Sequence, residues 1–109
     1  MTWVPDACTL PTAQRPLRAG EFDDLFRHAL RRVERVSAAR AVLTLAGEPA
    51  VYETARDLTA RESSCCSFFA FHVTRGATDV RVAVAVPPAR VDVLDALVAR
   101  AQAVLAARA

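Results

Sequence analysis

The sequence predicts a single α+β domain, and three observations support that prediction. The chain has 109 residues, which is the usual size of one domain. Apolar residues make up 53% and charged residues 24% of it, an ordinary globular composition that argues against disorder. Hydrophobic residues recur at helical spacing in some segments and at every second position in others. We therefore expect the order α-β-α-β-β-α, with a small three-stranded, mainly antiparallel sheet and helices packed on one of its faces.

The first part of the chain divides into an arm and a helix. Residues 1–19 contain three prolines and no hydrophobic period, which predicts an N-terminal arm carrying Cys8 on a domain formed by residues 20–109. Apolar side chains then recur at helical spacing over residues 21–35. Acidic residues near the start of that segment and arginines near its end suit the helix dipole. We therefore expect the first helix there.

A strand and a second helix follow. Residues 40–46 are rich in apolar side chains and end at Gly47, which indicates a strand. Residues 50–66 show helical periodicity, and Pro49 suits the first turn of a helix. One face of this predicted helix combines apolar side chains, one carboxylate and one thiol: Val51, Ala55, Leu58, Glu62 and Cys65.

The last part of the chain predicts a hairpin and a third helix. Apolar side chains occupy alternate positions in residues 67–75 and again in residues 79–86, and Gly76 lies in the turn between them. Two consecutive prolines end the second strand. Residues 89–108 then carry an apolar stripe at helical spacing, which predicts the final helix.

Charge and hydropathy exclude some partners. The net charge is only +2, and the 14 arginines are spread along the chain, so we expect no nucleic-acid partner. No apolar run approaches the roughly 20 residues that span a bilayer, so we expect no membrane partner. No secretory signal is visible at the start of the sequence, which predicts a cytoplasmic protein whose thiols stay reduced. The open edges of a small sheet suggest a homodimer.

The most distinctive chemistry is a cluster of thiols. Residues three and four apart on a helix are neighbours, so Glu62 should lie beside both Cys65 and Cys66. Thiolates are soft ligands that select mercury, arsenic(III), copper(I) or zinc over hard cations. Cys8 on the arm would supply a third sulfur. The pattern therefore predicts a thiophilic metal or metalloid ion as the bound cofactor, with Glu62 as a proton acceptor or accessory contact.

Three alternatives stay open. Cysteines commonly pack as small apolar core residues, and the protein would then be an interaction module without a metal. Glu62 would face solvent if the helix register drifted. In a metal-linked thiol enzyme with protonolysis or thiol redox activity, Glu62 would be the catalytic proton donor, and the thiols would hold the departing metal or form a transient disulfide. The dipole at the C-terminal end of a helix disfavours thiolates, which argues against simple nucleophilic catalysis by Cys65 or Cys66 unless a bound cation supplies positive charge.

The segment from Glu62 to Phe71 has the pattern E-x-x-C-C-x-F-F-x-F, and Cys8-Thr9-Leu10 precedes it. This combination resembles a group of small, mostly uncharacterised bacterial proteins that share an N-terminal Cys-Thr/Ser-Leu. The resemblance covers nearly the whole chain, implies heavy-metal handling and joins Cys8 to the cysteine pair as one trio. Organomercurial lyases offer a chemical analogy, since they use two thiols and a carboxylate, although their sequence motifs are absent here.

Overall fold

The protein folds as an α+β domain in which four strands form one antiparallel sheet. The computed structural model describes residues 15–65 and 68–108. The elements are α1 (Arg15–Ala29), β1 (Leu30–Ser37), β2 (Arg40–Ala46), α2 (Pro49–Cys65), β3 (Ala70–Arg75), β4 (Asp79–Ala85), a short 3-10 turn (Pro88–Arg90) and α3 (Val91–Arg108). The strands lie in the order β1-β2-β4-β3, and each neighbouring pair is antiparallel.

The predicted first helix over residues 21–35 is wrong in its second half. Helix α1 ends at Ala29, and the chain continues directly into β1, so the sheet has four strands where three were expected. Leu30 and Val33, which fitted the helical stripe, instead pair with Leu45 and Leu43 of β2. Hydrogen bonding along β2 and the β-branched Val33 favour the strand, and they outweigh a short helical pattern.

The start of α1 also differs from expectation. The helix begins at Arg15, inside the segment 1–19 that was predicted to be an arm, and residues 1–14 lie outside the described part. The first turn of α1 therefore carries no acidic residue, and the expected match between acidic side chains and the helix dipole does not occur. Gly20 is accommodated inside the helix, although glycine lowers helix stability.

The other predicted elements agree closely with the structure. Strand β2 has the predicted bounds, and α2 begins at Pro49, the proline expected in its first turn. The predicted hairpin is formed by β3 and β4, although β3 starts only at Ala70. The helix predicted over residues 89–108 is α3, which begins at Val91 after a single 3-10 turn. Every helix of the described part is too short or too polar to span a bilayer.

The helices cover one face of the sheet. Leu43, Val82 and Val73 are register partners across β2, β4 and β3, and they point towards the core. Arg35 lies on the same face and reaches Asp95 of α3 at 2.7 Å. Buried side chains of all three helices and of β1, β2 and β4 form one apolar cluster, as expected for a sheet with its helices on one side.

Candidate functional site

Glu62 is a completely buried carboxylate on α2, with 0% of its surface exposed. It shares the inner face of the helix with Ala55 and Leu58, which are 0% and 2% exposed. The helical register predicted from the sequence is therefore confirmed, and the alternative in which Glu62 faces solvent is wrong. Burial of a carboxyl group among apolar side chains is unfavourable, so such residues are concentrated at functional sites.

The cysteine pair lies three and four residues after Glu62 in the sequence. Helix α2 ends at Cys65, three residues after Glu62, a spacing at which two side chains on a helix are neighbours. The side chain of Cys65 lies outside the description, as do Cys66 and Cys8. Within the described residues, no group of three or more His, Cys, Asp or Glu side chains is arranged to hold a metal ion. The three-cysteine site therefore stays a prediction.

Helices α1 and α2 run antiparallel. Arg61 on α2 donates to Glu21 on α1 at 2.6 Å and to Asp57 at 3.0 Å. Further along the pair, residues 24–29 of α1 and residues 50–54 of α2 line a shared cavity of about 240 Å³. The first turn of α1 therefore lies towards the same end of the helix pair as the last turn of α2.

The Arg61 interactions help to hold that arrangement. Its hydrogen bond to Glu21, with the nearby charges of Glu21 and Asp57, raises the pKa of the guanidinium group above its ordinary value despite partial desolvation. The side chains of Arg61 and Glu21 are each 42% exposed, so solvent screens the pair and we expect about 0.2–1 kcal/mol from it. It orients the two helices more than it stabilises the protein.

Three aromatic side chains pack next to the end of α2. The ring of Phe69 lies 4.8 Å from that of Phe68 and 5.0 Å from that of Phe71, measured between centroids. Phe69 is only 4% exposed and belongs to the core, whereas the other two are partly buried against it. Phe69 is therefore a core residue with Phe68 and Phe71 packed against it, and the three rings form an apolar wall in the segment that follows α2.

The two histidines lie away from this region. His72 is exposed on β3, on the sheet face opposite to Phe71, as the alternation in the sequence predicted. His28 is exposed on α1, where its Nδ1 lies 2.7 Å from the carbonyl oxygen of Asp24. Neither is buried with Glu62.

The structure also contains a group of side chains that was not predicted from the sequence. Tyr52, which had no visible stacking partner in the sequence, is contacted by two guanidinium groups. The Cζ atoms of Arg56 and Arg75 are 5.6 Å and 5.4 Å from the centre of its ring. The spacing of four residues between Tyr52 and Arg56 on a helix could have indicated the first contact. The second contact depends on the fold, because Arg75 lies on β3.

Comparison with known proteins identifies no relative of this chain. It matches no model of a protein family, and neither the curated proteins nor the solved structures include a significant match. Its function is therefore inferred from its own residues and their geometry.

Proposed function

We propose that this protein binds a thiophilic metal or metalloid ion through Cys8, Cys65 and Cys66. The observation that carries the proposal is the full burial of Glu62 one helical turn before the cysteine pair. A carboxylate is costly to remove from water, and the same helix face also buries Ala55, Leu58 and Thr59. A role in chemistry explains why a charged residue occupies this position.

That role follows from the chemistry of thiol ligands. A thiol must lose its proton to bind a metal ion, and a neighbouring carboxylate can accept that proton. The ion then supplies positive charge at the C-terminal end of α2, where the helix dipole alone disfavours thiolates. Sulfur ligands favour mercury(II), arsenic(III), copper(I) or zinc(II) over hard cations.

The helix arrangement supports the participation of Cys8. Arg15 lies about 9 Å along α1 from Glu21, and Cys65 lies about 6 Å along α2 from Arg61. Because the two helices are antiparallel, Arg15 and Cys65 lie on the same side of the Arg61–Glu21 ion pair. Cys8 lies seven positions before Arg15 in the sequence, and an extended chain of that length spans up to about 25 Å. A segment of that length would allow Cys8 to reach the end of α2 that carries Cys65.

Native mass spectrometry of the reduced protein with each of the four ions tests this proposal. We expect each wild-type chain to bind one ion, and we expect the Cys65→Ser/Cys66→Ser variant to lose that binding. Glu62→Gln should bind about 10- to 100-fold more weakly, as is typical when a group that supports metal ligands is removed. Equal uptake by the wild type and the double cysteine variant would reject the proposal.

A matched control distinguishes ligation from loss of folding. Ser37→Ala changes a hydroxyl side chain at the end of β1, remote from α2, and should bind like the wild type. Circular dichroism checks that each variant remains folded. Thiol titration of the native protein adds an independent measurement, because packing cysteines would react only after unfolding. Such behaviour would favour an interaction module without a metal.

The burial of Glu62 also favours a second candidate, a metal-linked thiol enzyme. Removal from water favours the neutral carboxylic acid, which can donate a proton. In protonolysis of an organomercurial, the carbon–mercury bond would break, its electron pair would take the proton of Glu62, and the thiolates would retain mercury(II). Phenylmercuric acetate tests this activity through the release of benzene. Glu62→Gln should then abolish release while mercury binding persists; loss of binding in the same variant would favour the binding protein.

A further inference from the structure

A polar groove runs along the seam between α2 and the edge strand β3. It consists of two adjoining cavities of about 430 Å³ and 240 Å³, which share Arg56 and Ala60. The larger cavity is bordered by Tyr52 and Arg75, and the smaller one by Ser63 and His72. The groove faces away from the buried side of α2 that carries Glu62.

Positive charge dominates this groove. The guanidinium groups of Arg56 and Arg75 both lie against Tyr52, so their Cζ atoms are no more than about 11 Å apart. Of the two acidic side chains along the groove, Asp57 is bonded to Arg61, outside the groove, at 2.9 Å. Glu53 is the other acidic side chain along the groove, and its charge would repel a negatively charged ligand. Removing its charge should therefore strengthen binding of an acidic ligand.

The strand beside the groove is suited to accept another strand. Within the described residues, β3 pairs with β4 on one side only, through six consecutive register partners without a bulge. The opposite edge strand, β1, has irregularities at both ends and carries exposed Arg32 and Glu34. Bulges and charged side chains protect sheet edges from added strands, so β3 is the less protected of the two edges.

We propose that this groove binds an extended acidic peptide of a partner protein, which adds a strand to β3. Backbone hydrogen bonds to β3 would supply affinity, and carboxylates facing Arg56 and Arg75 would supply specificity, as in other complexes formed by strand addition. Side chains two residues apart on an extended chain point the same way and lie about 6.8 Å apart. Two such glutamates match a pair of guanidinium groups separated by 11 Å or less.

Fluorescence anisotropy with a labelled hexapeptide of alternating glutamate and valine tests this proposal. We expect saturable binding, and Arg56→Ala and Arg75→Ala should each weaken it about 2- to 5-fold, the range for one exposed ion pair. Glu53→Gln should strengthen it about 2-fold for the same reason. Arg81→Ala is the matched control, because Arg81 is an exposed arginine on β4 outside the groove and its loss should leave affinity unchanged.

Two modified peptides separate the contributions of charge and backbone. A version with lysine in place of glutamate should fail to bind, and a version with methylated backbone nitrogens should bind at least 10-fold more weakly. Equal binding of either modified peptide would overturn the proposal, as would an equal loss of affinity in Arg81→Ala and Arg75→Ala. A peptide-free dimer that Thr74→Pro dissociates would also overturn it, because β3 would then pair with a second copy of the chain.

Discussion

Replacing Phe69 with alanine should destabilise this protein far more than the same change at either neighbouring phenylalanine. Phe69 is 4% exposed and contacts the rings of both Phe68 and Phe71, so the substitution removes nearly a whole buried side chain and leaves a cavity. Such a change costs about 3–5 kcal/mol. For a domain of this length, about 4 °C is lost per kcal/mol, which predicts a fall in Tm of about 12–20 °C.

Thermal and urea unfolding followed by circular dichroism measure this effect. Phe68→Ala and Phe71→Ala are the controls, and each should cost roughly half as much because these side chains are only partly buried. Thiol titration provides a second measurement: if Phe69 anchors the wall beside the end of α2, its loss should speed the reaction of Cys65 and Cys66. Equal destabilisation by the Phe69 and Phe68 substitutions would refute the assignment of Phe69 as the anchor.

Three further substitutions test the fold. Gly20→Ala should stabilise the protein by about 0.5–1 kcal/mol, because Gly20 lies inside α1 and an added Cβ meets nothing within 4 Å. Gly47→Ala should instead cost on the order of 1–3 kcal/mol, since its Cβ would lie 2.7 Å from the backbone carbonyl carbon of Thr78. Arg100→Asp should lower Tm, because it removes two 2.8 Å hydrogen bonds to Asp23. The additional substitution Asp23→Arg should recover part of the lost Tm. Urea unfolding measures the change in stability at each glycine, and a double-mutant cycle measures the interaction between Arg100 and Asp23. Equal effects at the two glycines would contradict the described backbone.

The sequence predicted the helices and strands that have a single consistent period. Strand β2 and helix α2 were predicted almost to the residue, because their apolar side chains follow one spacing and Gly47 and Pro49 separate them. The boundary between α1 and β1 was missed because Leu30 and Val33 continue the helical spacing of the residues before them. The strand is stabilised by its pairing with β2, and the contact of Leu30 with Leu45 spans 15 residues of sequence.

Some features of the candidate site could be predicted from the sequence, and others could not. The burial of Glu62 followed from its place on the apolar stripe of α2, which the structure confirms. The contact between Tyr52 and Arg75 could not be predicted, because it requires α2 to lie against β3. Cys8 lies in a segment without any hydrophobic period and outside the described residues, so its participation in the site stays a prediction.

One packing arrangement determines the environment of both proposed sites. Ala55 and Leu58 fix the rotation of α2 against the sheet, and that rotation buries Glu62 while leaving Arg56 exposed on the other side. A shift of one residue in the helix register turns each side chain by about 100°, which would expose Glu62 and bring Arg56 towards the core. Burial of an unpaired guanidinium group is strongly unfavourable, so this alternative rotation is disfavoured. The charges of the groove thus help to specify the register that buries Glu62.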